Sequence, residues 1–231
     1  MSMRSALRRI TPLPLRTPLL RRFAPHADPW QPQVLDCRAI FIHVPKTAGS
    51  SIKAELYGKP MEGHRRISEF QDFDPKRTAE TFKFCFVRNP WDRALSAFSY
   101  LKQGKGVSRV DREFTAVHLD EIDNFAAFLA ALERPAYRRE VMRFIHFRPQ
   151  IWWTRLPGAA GHSMDFVGRF ERVEADMQIV RDRLGLPEQP LGNARSSSHG
   201  RYTEAYNSAE RDLIAELYAE DVRIFGYAFG G

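Results

Sequence analysis

The chain has 231 residues, of which 43% are hydrophobic and 27% charged; this usage fits one ordinary globular domain and excludes wholesale disorder. Its longest uninterrupted apolar run, Phe125 to Leu132, is eight residues, against roughly 20 needed to cross a bilayer, so no transmembrane segment is expected. The formal net charge of +7 is localised: residues 1–27 hold six arginines and no acid, and removing them from the 35 basic side chains leaves 29 against 28 acidic ones. A nearly neutral body argues against a domain that coats nucleic acid with a broad basic face.

Residues 1–35 read as a basic tail. They are Arg-rich and acid-poor like a transit peptide, but prolines at 12, 14, 18 and 25 interrupt any amphipathic helix. The stretch from Ile10 to Leu20 is broken by Pro and Arg, whereas a secretory signal needs it unbroken. The reading adopted is a disordered extension, followed by one domain over 36–231. Two cysteines and no Asn-x-Ser/Thr sequon point to a reducing, unglycosylated compartment. The expected location is cytoplasmic, with peripheral membrane association left open.

Arg38 to Val44 reads as a buried strand ended by Pro45, and Ser51 to Tyr57 as a helix closed by Gly58. Phe82 to Val87 is a second buried strand. Pro90 opens a helix running to about Gln103, since its missing N–H costs nothing at the first helical position. Trp91, Ala94, Leu95, Phe98 and Leu101 form its apolar stripe. Residues 104–120 read as a long connection, with helices expected over 121–133 and 137–147. Asp165 to Phe170 is a third strand candidate. Val173, Met177, Val180 and Leu184 then recur at helical spacing up to Gly185. Residues 187–200 read as a loop, and Asn207 with Glu210 as a capping box opening the last helix. Alternating strands and helices predict an α/β fold, a three-layer sandwich around a mainly parallel central sheet.

Pro45-Lys46-Thr47-Ala48-Gly49-Ser50-Ser51 sits where a strand turns into a helix. A helix N-terminus offers unpaired N–H groups and partial positive charge, so it binds phosphate readily. Gly49 lets backbone approach an anion, the hydroxyls of Thr47, Ser50 and Ser51 add donors, and Lys46 adds a mobile cation. A merely Ser-capped helix with a solvated lysine fits the same residues. The pattern is not a Walker loop, because the lysine precedes the only glycine. The second strand ends in Arg88-Asn89-Pro90 rather than in a magnesium-holding aspartate. That combination suggests a nucleotide whose charge is met by side chains.

Ile42-His43-Val44-Pro45-Lys46-Thr47-Ala48-Gly49-Ser50-Ser51, followed by Val87-Arg88-Asn89-Pro90-Trp91-Asp92-Arg93-Ala94-Leu95-Ser96, resembles the carbohydrate sulfotransferase family that depends on 3′-phosphoadenosine 5′-phosphosulfate (PAPS), of the family 2 type with a P-loop NTPase-like fold. The resemblance continues through His146 to Gln150, Phe166 to Glu171 and the closing segment Tyr202 to Tyr227, covering about residues 38–228. It implies that Lys46 sits near the sulfuryl group, that Thr47, Ala48, Gly49, Ser50 and Ser51 wrap the 5′-phosphate, and that Arg88 and Ser96 hold the 3′-phosphate. Asn193 to Ser198 resembles a late loop closing over the nucleotide, with Arg195 and Ser198 as contacts. PAPS would be the co-substrate, with no metal, and the partner a carbohydrate hydroxyl. The family's Golgi members carry an N-terminal membrane anchor, a pattern not read here.

Sulfuryl transfer to a hydroxyl needs in-line positioning and a base. His64, in the polar segment Glu62-Gly63-His64-Arg65, is the first choice of base, and the resemblance supports that region; an ordinary exposed loop histidine fits equally. His146 is expected to line the acceptor cleft, or else to pin a helix end. His43 reads as a packed, hydrogen-bonded core residue. No His-x-x-x-His or Cys-x-x-Cys pair suggests zinc. Two alternatives stay open: a P-loop-type kinase or other phosphotransferase, and a non-catalytic nucleotide- or glycan-binding module.

Overall fold

Three short apolar segments pair into one parallel sheet in the computed structural model, which describes residues 28–58, 63–104, 107–192 and 200–231. They are β1 (Ala39–Ile42), β2 (Phe82–Val87) and β3 (Phe166–Arg169), in the order β1-β2-β3. Phe41 lies opposite Phe84, and Phe84 opposite Phe166. All three strands fall where the apolar runs put them, with β1 and β3 shorter than expected.

Because side chains alternate along a strand, the two faces of the sheet build separate cores. Ala39, Phe41, Phe84 and Phe86 face Ile52 of α2 (Gly49–Tyr57) and Val173, Met177 and Val180 of a later helix, Val173–Leu184. Ile40, Ile42, Cys85 and Val87 face the other way. That second core also takes in Val34 of α1 (Pro32–Cys37), Ile67, Phe70 and Phe73 of α3 (Ile67–Phe73), and Trp30. A further short helix, α4 (Pro75–Glu80), leads into β2. The fold is α/β, with helices on both faces of a parallel sheet.

A third core is helical. In α5 (Pro90–Gln103) the stripe Trp91, Ala94, Leu95, Phe98 and Leu101 is buried as its spacing predicts. It packs with Phe114 of α6 (Arg109–His118), Phe125, Phe128 and Leu129 of α7 (Phe125–Leu132), and Val141 of α8 (Pro135–Arg143). The short α9 (Ile151–Thr154) and α10 (Val173–Leu184) flank β3 in the chain. Two helices close the fold, α11 (Ser208–Leu217) and α12 (Ala219–Phe225).

The structure departs from the sequence reading in five places. The packed body starts before Asp36: Trp30 and Val34 are 9% and 5% exposed, and the Trp30 ring meets Phe70 edge-on at 5.2 Å. Residues 104–120 are not simply a connection, because α6 forms within them, opened by a capping box between Ser108 and Asp111. The helix expected over 121–133 begins only after its Asn124 cap, whose side chain accepts from the Ala127 N–H. The helix expected over 137–147 ends at Arg143, which leaves His146 in a turn. The Asn207/Glu210 box is present, but the helix it opens breaks at Tyr218. Residues 1–27 lie outside the described residues. Among the described residues no helix is long and apolar enough to cross a membrane.

Candidate active site

All three strands deliver residues to one cavity of about 310 Å³ at their carboxyl ends. Lys46 follows β1, Arg88 follows β2 and Phe170 follows β3; Ser96 and Tyr100 of α5, His64 and His146 complete much of the wall. Open parallel sheets bind ligands at these ends because the connecting loops leave a crevice there. A larger recess of about 960 Å³ lies at the opposite ends of the strands. Acidic Asp36 and Asp165 are mixed there with basic Arg38 and Lys83, so no single charge converges, and the chemistry concentrates in the smaller cavity.

The loop after β1 adopts a backbone that L-residues resist. Lys46 has a φ of 71° and Ala48 a φ of 62°, while Thr47 between them stays negative. Such left-handed non-glycine residues cost of order 1–3 kcal/mol each and collect at functional sites. Alternating handedness gathers successive N–H groups into an anion-binding concavity, here at the N-terminus of α2. Thr47 is fully buried, and its hydroxyl donates to the Val44 carbonyl at 2.8 Å, so it holds the loop instead of facing the cavity. Ser51 donates to the Gly192 carbonyl at 2.6 Å, while Ser50 is exposed on the cavity wall. Gly49 is required for another reason as well: a Cβ there would lie 1.8 Å from Cδ2 of the His43 ring.

Arg88 is 3% exposed. Its Nε donates to Asp92 at 2.7 Å, and its guanidinium lies 4.1 Å over the Phe170 ring. Its backbone is clamped by Gln150, which accepts from the Arg88 N–H at 2.9 Å and donates to the Arg88 carbonyl at 2.8 Å. Gln150 is set in turn by Asp221, which accepts from the Gln150 and Ile151 N–H groups at 2.7 and 2.9 Å. Ser96, 8% exposed, lines the same cavity.

Lys46 places Nζ 3.9 Å from the centre of the Tyr100 ring, a cation–π contact. Burial, with nearby Arg88, pulls its pKa down to about 8, against which Asp111 pushes it up. His64 Nδ1 lies 2.9 Å from the His43 carbonyl. A carbonyl only accepts, so Nδ1 carries the hydrogen, and Nε2 of the neutral ring keeps its lone pair. Burial lowers the His64 pKa to about 4. His43 lies 4.1 Å from the His64 ring centre, and its buried Nδ1 has no hydrogen-bond partner among the described residues. It thus lines the cavity in place of the hydrogen-bonded core position expected for it.

His146 is 7% exposed and also reaches the cavity wall. Its Nε2 lies 2.9 Å from Asp111, and Arg93 Nη1 donates to its backbone carbonyl at 3.0 Å. The sequence-predicted residues Lys46, Ala48, Gly49, Ser50, Ser51, His64, Arg88, Ser96 and His146 are therefore gathered around one cavity, with Thr47 beneath it. Arg195 and Ser198 lie outside the described residues. Tyr100, Asp111 and Phe170 were not singled out by sequence. A signal for two of them existed: Ser108-x-x-Asp111 is a helix-opening pattern, and Tyr100 sits one turn after Ser96.

No carboxylate lines this cavity among the described residues, and none of them form a group of three or more His, Cys, Asp or Glu that could hold a metal ion. Converging cations, hydroxyls and a helix N-terminus are the chemistry of an anion site. The Sulfotransferase family model matches residues 36–228. The chain belongs to this sulfotransferase family, whose reaction is sulfuryl transfer to an acceptor. It is similar to an uncharacterized protein of Archaeoglobus fulgidus, 26% identical over 106 residues that cover 46% of this chain and 69% of that protein. No solved structure gives a significant match.

Proposed function

We propose that the protein transfers the sulfuryl group of PAPS to a hydroxyl of a carbohydrate, on a P-loop-like sheet. The observation that carries this reading is the pair of cations, Lys46 and Arg88, brought from the ends of adjacent strands into one cavity that no carboxylate lines among the described residues. PAPS carries two anionic groups, and the cavity receives donors from the ends of two adjacent strands. In this reading the loop from Lys46 to Ser51 holds the 5′-phosphosulfate, with backbone N–H groups as the principal donors. Arg88, its Nε held by Asp92, and Ser96 meet the 3′-phosphate. The donor supplies an activated sulfuryl group whose departure leaves extra negative charge on the phosphate. Lys46 neutralises that charge as it grows, which lowers the barrier more than it tightens the ground state. His64 takes the acceptor hydroxyl's proton at Nε2; its neutral ring at physiological pH suits that role. His146 lines the acceptor side. Arg195 and Ser198 belong to the same reading as nucleotide contacts.

Thermal unfolding with PAPS, 3′,5′-ADP, ATP-Mg and NADPH tests the nucleotide class. PAPS or 3′,5′-ADP at 100 times its dissociation constant should add about 2.7 kcal/mol of stability; preferential stabilisation by ATP-Mg would overturn the reading in favour of a kinase. Sulfur-35 transfer from labelled PAPS to a panel of neutral and uronate-bearing oligosaccharides tests the acceptor. Arg88→Ala should weaken PAPS by about 2–5 kcal/mol and barely change a phosphosulfate nucleotide lacking the 3′-phosphate. Equal losses for the two nucleotides would remove Arg88 from the 3′-phosphate site.

A further inference from the structure

Asp111, on the first turn of α6, is 4% exposed and surrounded by donors. Its Oδ1 faces His146 Nε2 at 2.9 Å. Its Oδ2 accepts from the Ser108 N–H at 3.0 Å and from the Tyr100 hydroxyl at 3.2 Å. Burial pushes its carboxyl up, but the hydrogen bonds it accepts from His146 and Ser108 hold it well below the usual carboxylate range. The His146 ring lies 5.1 Å from the Tyr100 ring and 5.4 Å from that of Phe144. The charged groups acting on it are Lys46 from the loop, Arg93 from α5 and Asp111 from α6. Its Nδ1 is buried and has no hydrogen-bond partner among the described residues.

A carboxylate can only accept, so it fixes the His146 hydrogen on Nε2. Nδ1 of the neutral ring is then a lone pair, and burial favours the neutral form. The charged side chains on the cavity wall, Lys46 and Arg88, can only donate. His146 Nδ1 is the wrong polarity for a phosphate or sulfate oxygen and the right one for a hydroxyl. We propose that Asp111 is a positioning residue that locks His146 in the tautomer whose Nδ1 accepts a hydrogen bond from a hydroxyl of the acceptor substrate. One O–H hydrogen cannot serve two acceptors, so this hydroxyl is a neighbour of the one served by His64. The hydroxyl's identity rests on the sulfotransferase reading; the tautomer lock does not.

Asp111→Asn tests the lock with almost no change of shape. The Ser108 backbone N–H cannot reverse its polarity, so the new amide must give it the oxygen and turn its NH₂ towards His146 Nε2. That forces the ring hydrogen to Nδ1 and presents a donor where the acceptor stood, an inversion of the kind known from catalytic triads. Nitrogen-15 NMR of the ring in the full chain should report an Nε2–H tautomer in the wild type and an Nδ1–H tautomer in Asp111→Asn. A wild-type Nδ1 already protonated at neutral pH, or an unchanged tautomer in the variant, would overturn the lock. In the oligosaccharide assay Asp111→Asn should lower kcat/KM for the acceptor by about tenfold or more, with KM for PAPS within about twofold. A change confined to the PAPS KM would sink the assignment to the acceptor side. A second pair of variants does not depend on Asp111→Asn folding. His146→Asn places an amide oxygen near the Nδ1 position, whereas His146→Gln mimics Nε2 and keeps only the Asp111 contact. His146→Asn should retain the higher acceptor kcat/KM, and the opposite order contradicts the proposal. If the wild type sulfates no oligosaccharide in the panel, the carbohydrate-acceptor reading has failed, while the ring-nitrogen measurement still decides the lock.

Discussion

Lys46 shows how much one side chain's environment decides. On a surface it would stay charged beyond pH 10, but burial and the neighbouring Arg88 bring its pKa to about 8. Below that pH the cation is present for an anionic donor, and as pH rises through it the charge is lost. The free protein's kcat/KM for PAPS should therefore fall about tenfold per pH unit above pH 8. Bound donor favours the charged lysine, so the corresponding limb in kcat should lie at higher pH. Lys46→Arg, which cannot lose its charge in this range, should abolish the alkaline limb in kcat/KM even if turnover is slower. A limb that persists in this variant would assign it to another group. Lys46 was legible in the sequence because it stands in a strand-to-helix loop, whereas Arg88 and Ser96 were picked out by the resemblance, with which their places at a strand end and on a helix face agree. The Tyr100 ring under Lys46 was missed: its place one turn after Ser96 was a signal, but helical spacing alone does not separate a ligand-facing tyrosine from a packing one.

Among the elements, the joint between the turn before α9 and the C-terminal α12 matters most to the site. Asp221 caps Gln150 and Ile151, and Gln150 pairs with both backbone groups of Arg88. Gln150 and Asp221 are both fully buried. Gln150→Leu keeps the volume but strands an N–H and a carbonyl in the interior, at a cost of about 1–3 kcal/mol each when unpaired. Urea unfolding should show that loss, and the affinity for 3′,5′-ADP should fall as Arg88 loses its fixed position. Unchanged stability would mean that other groups satisfy the Arg88 backbone. The elements themselves were read well where apolar periodicity was strong, as in α5 and the three strands. They were misread where charge hid a helix: in α6 only Asp111 and Phe114 are buried, too few to reveal a stripe.

Across the whole molecule, the site histidines are held neutral by burial. His43, His64 and His146 all lie below their ordinary 6.5, with burial the leading cause in each. The unfolded chain therefore binds more protons than the folded one between the two sets of values. Stability is fully present above pH 6.5 and is lost as pH falls towards about 4, the folded value for His64. Thermal melts should be nearly flat from pH 7 upward in this respect and decline between pH 6.5 and 4. His64→Gln should make that decline shallower, and an identical decline would show that His64 is not among the groups responsible.

The sequence by itself determined the parallel α/β class, the strand positions and the two cation-bearing loops, because these depend on local propensity and on spacing along the chain. It also carried the resemblance that the family match over residues 36–228 bears out. Only the tertiary structure decided that Trp30 and Val34 join the core, that Gly49 makes room for the His43 ring, and that Asp111 meets His146. Each of these contacts is a packing outcome between segments six or more residues apart, 35 in the case of Asp111 and His146. Their geometry is set by how helices settle on the sheet, a choice that no local pattern encodes.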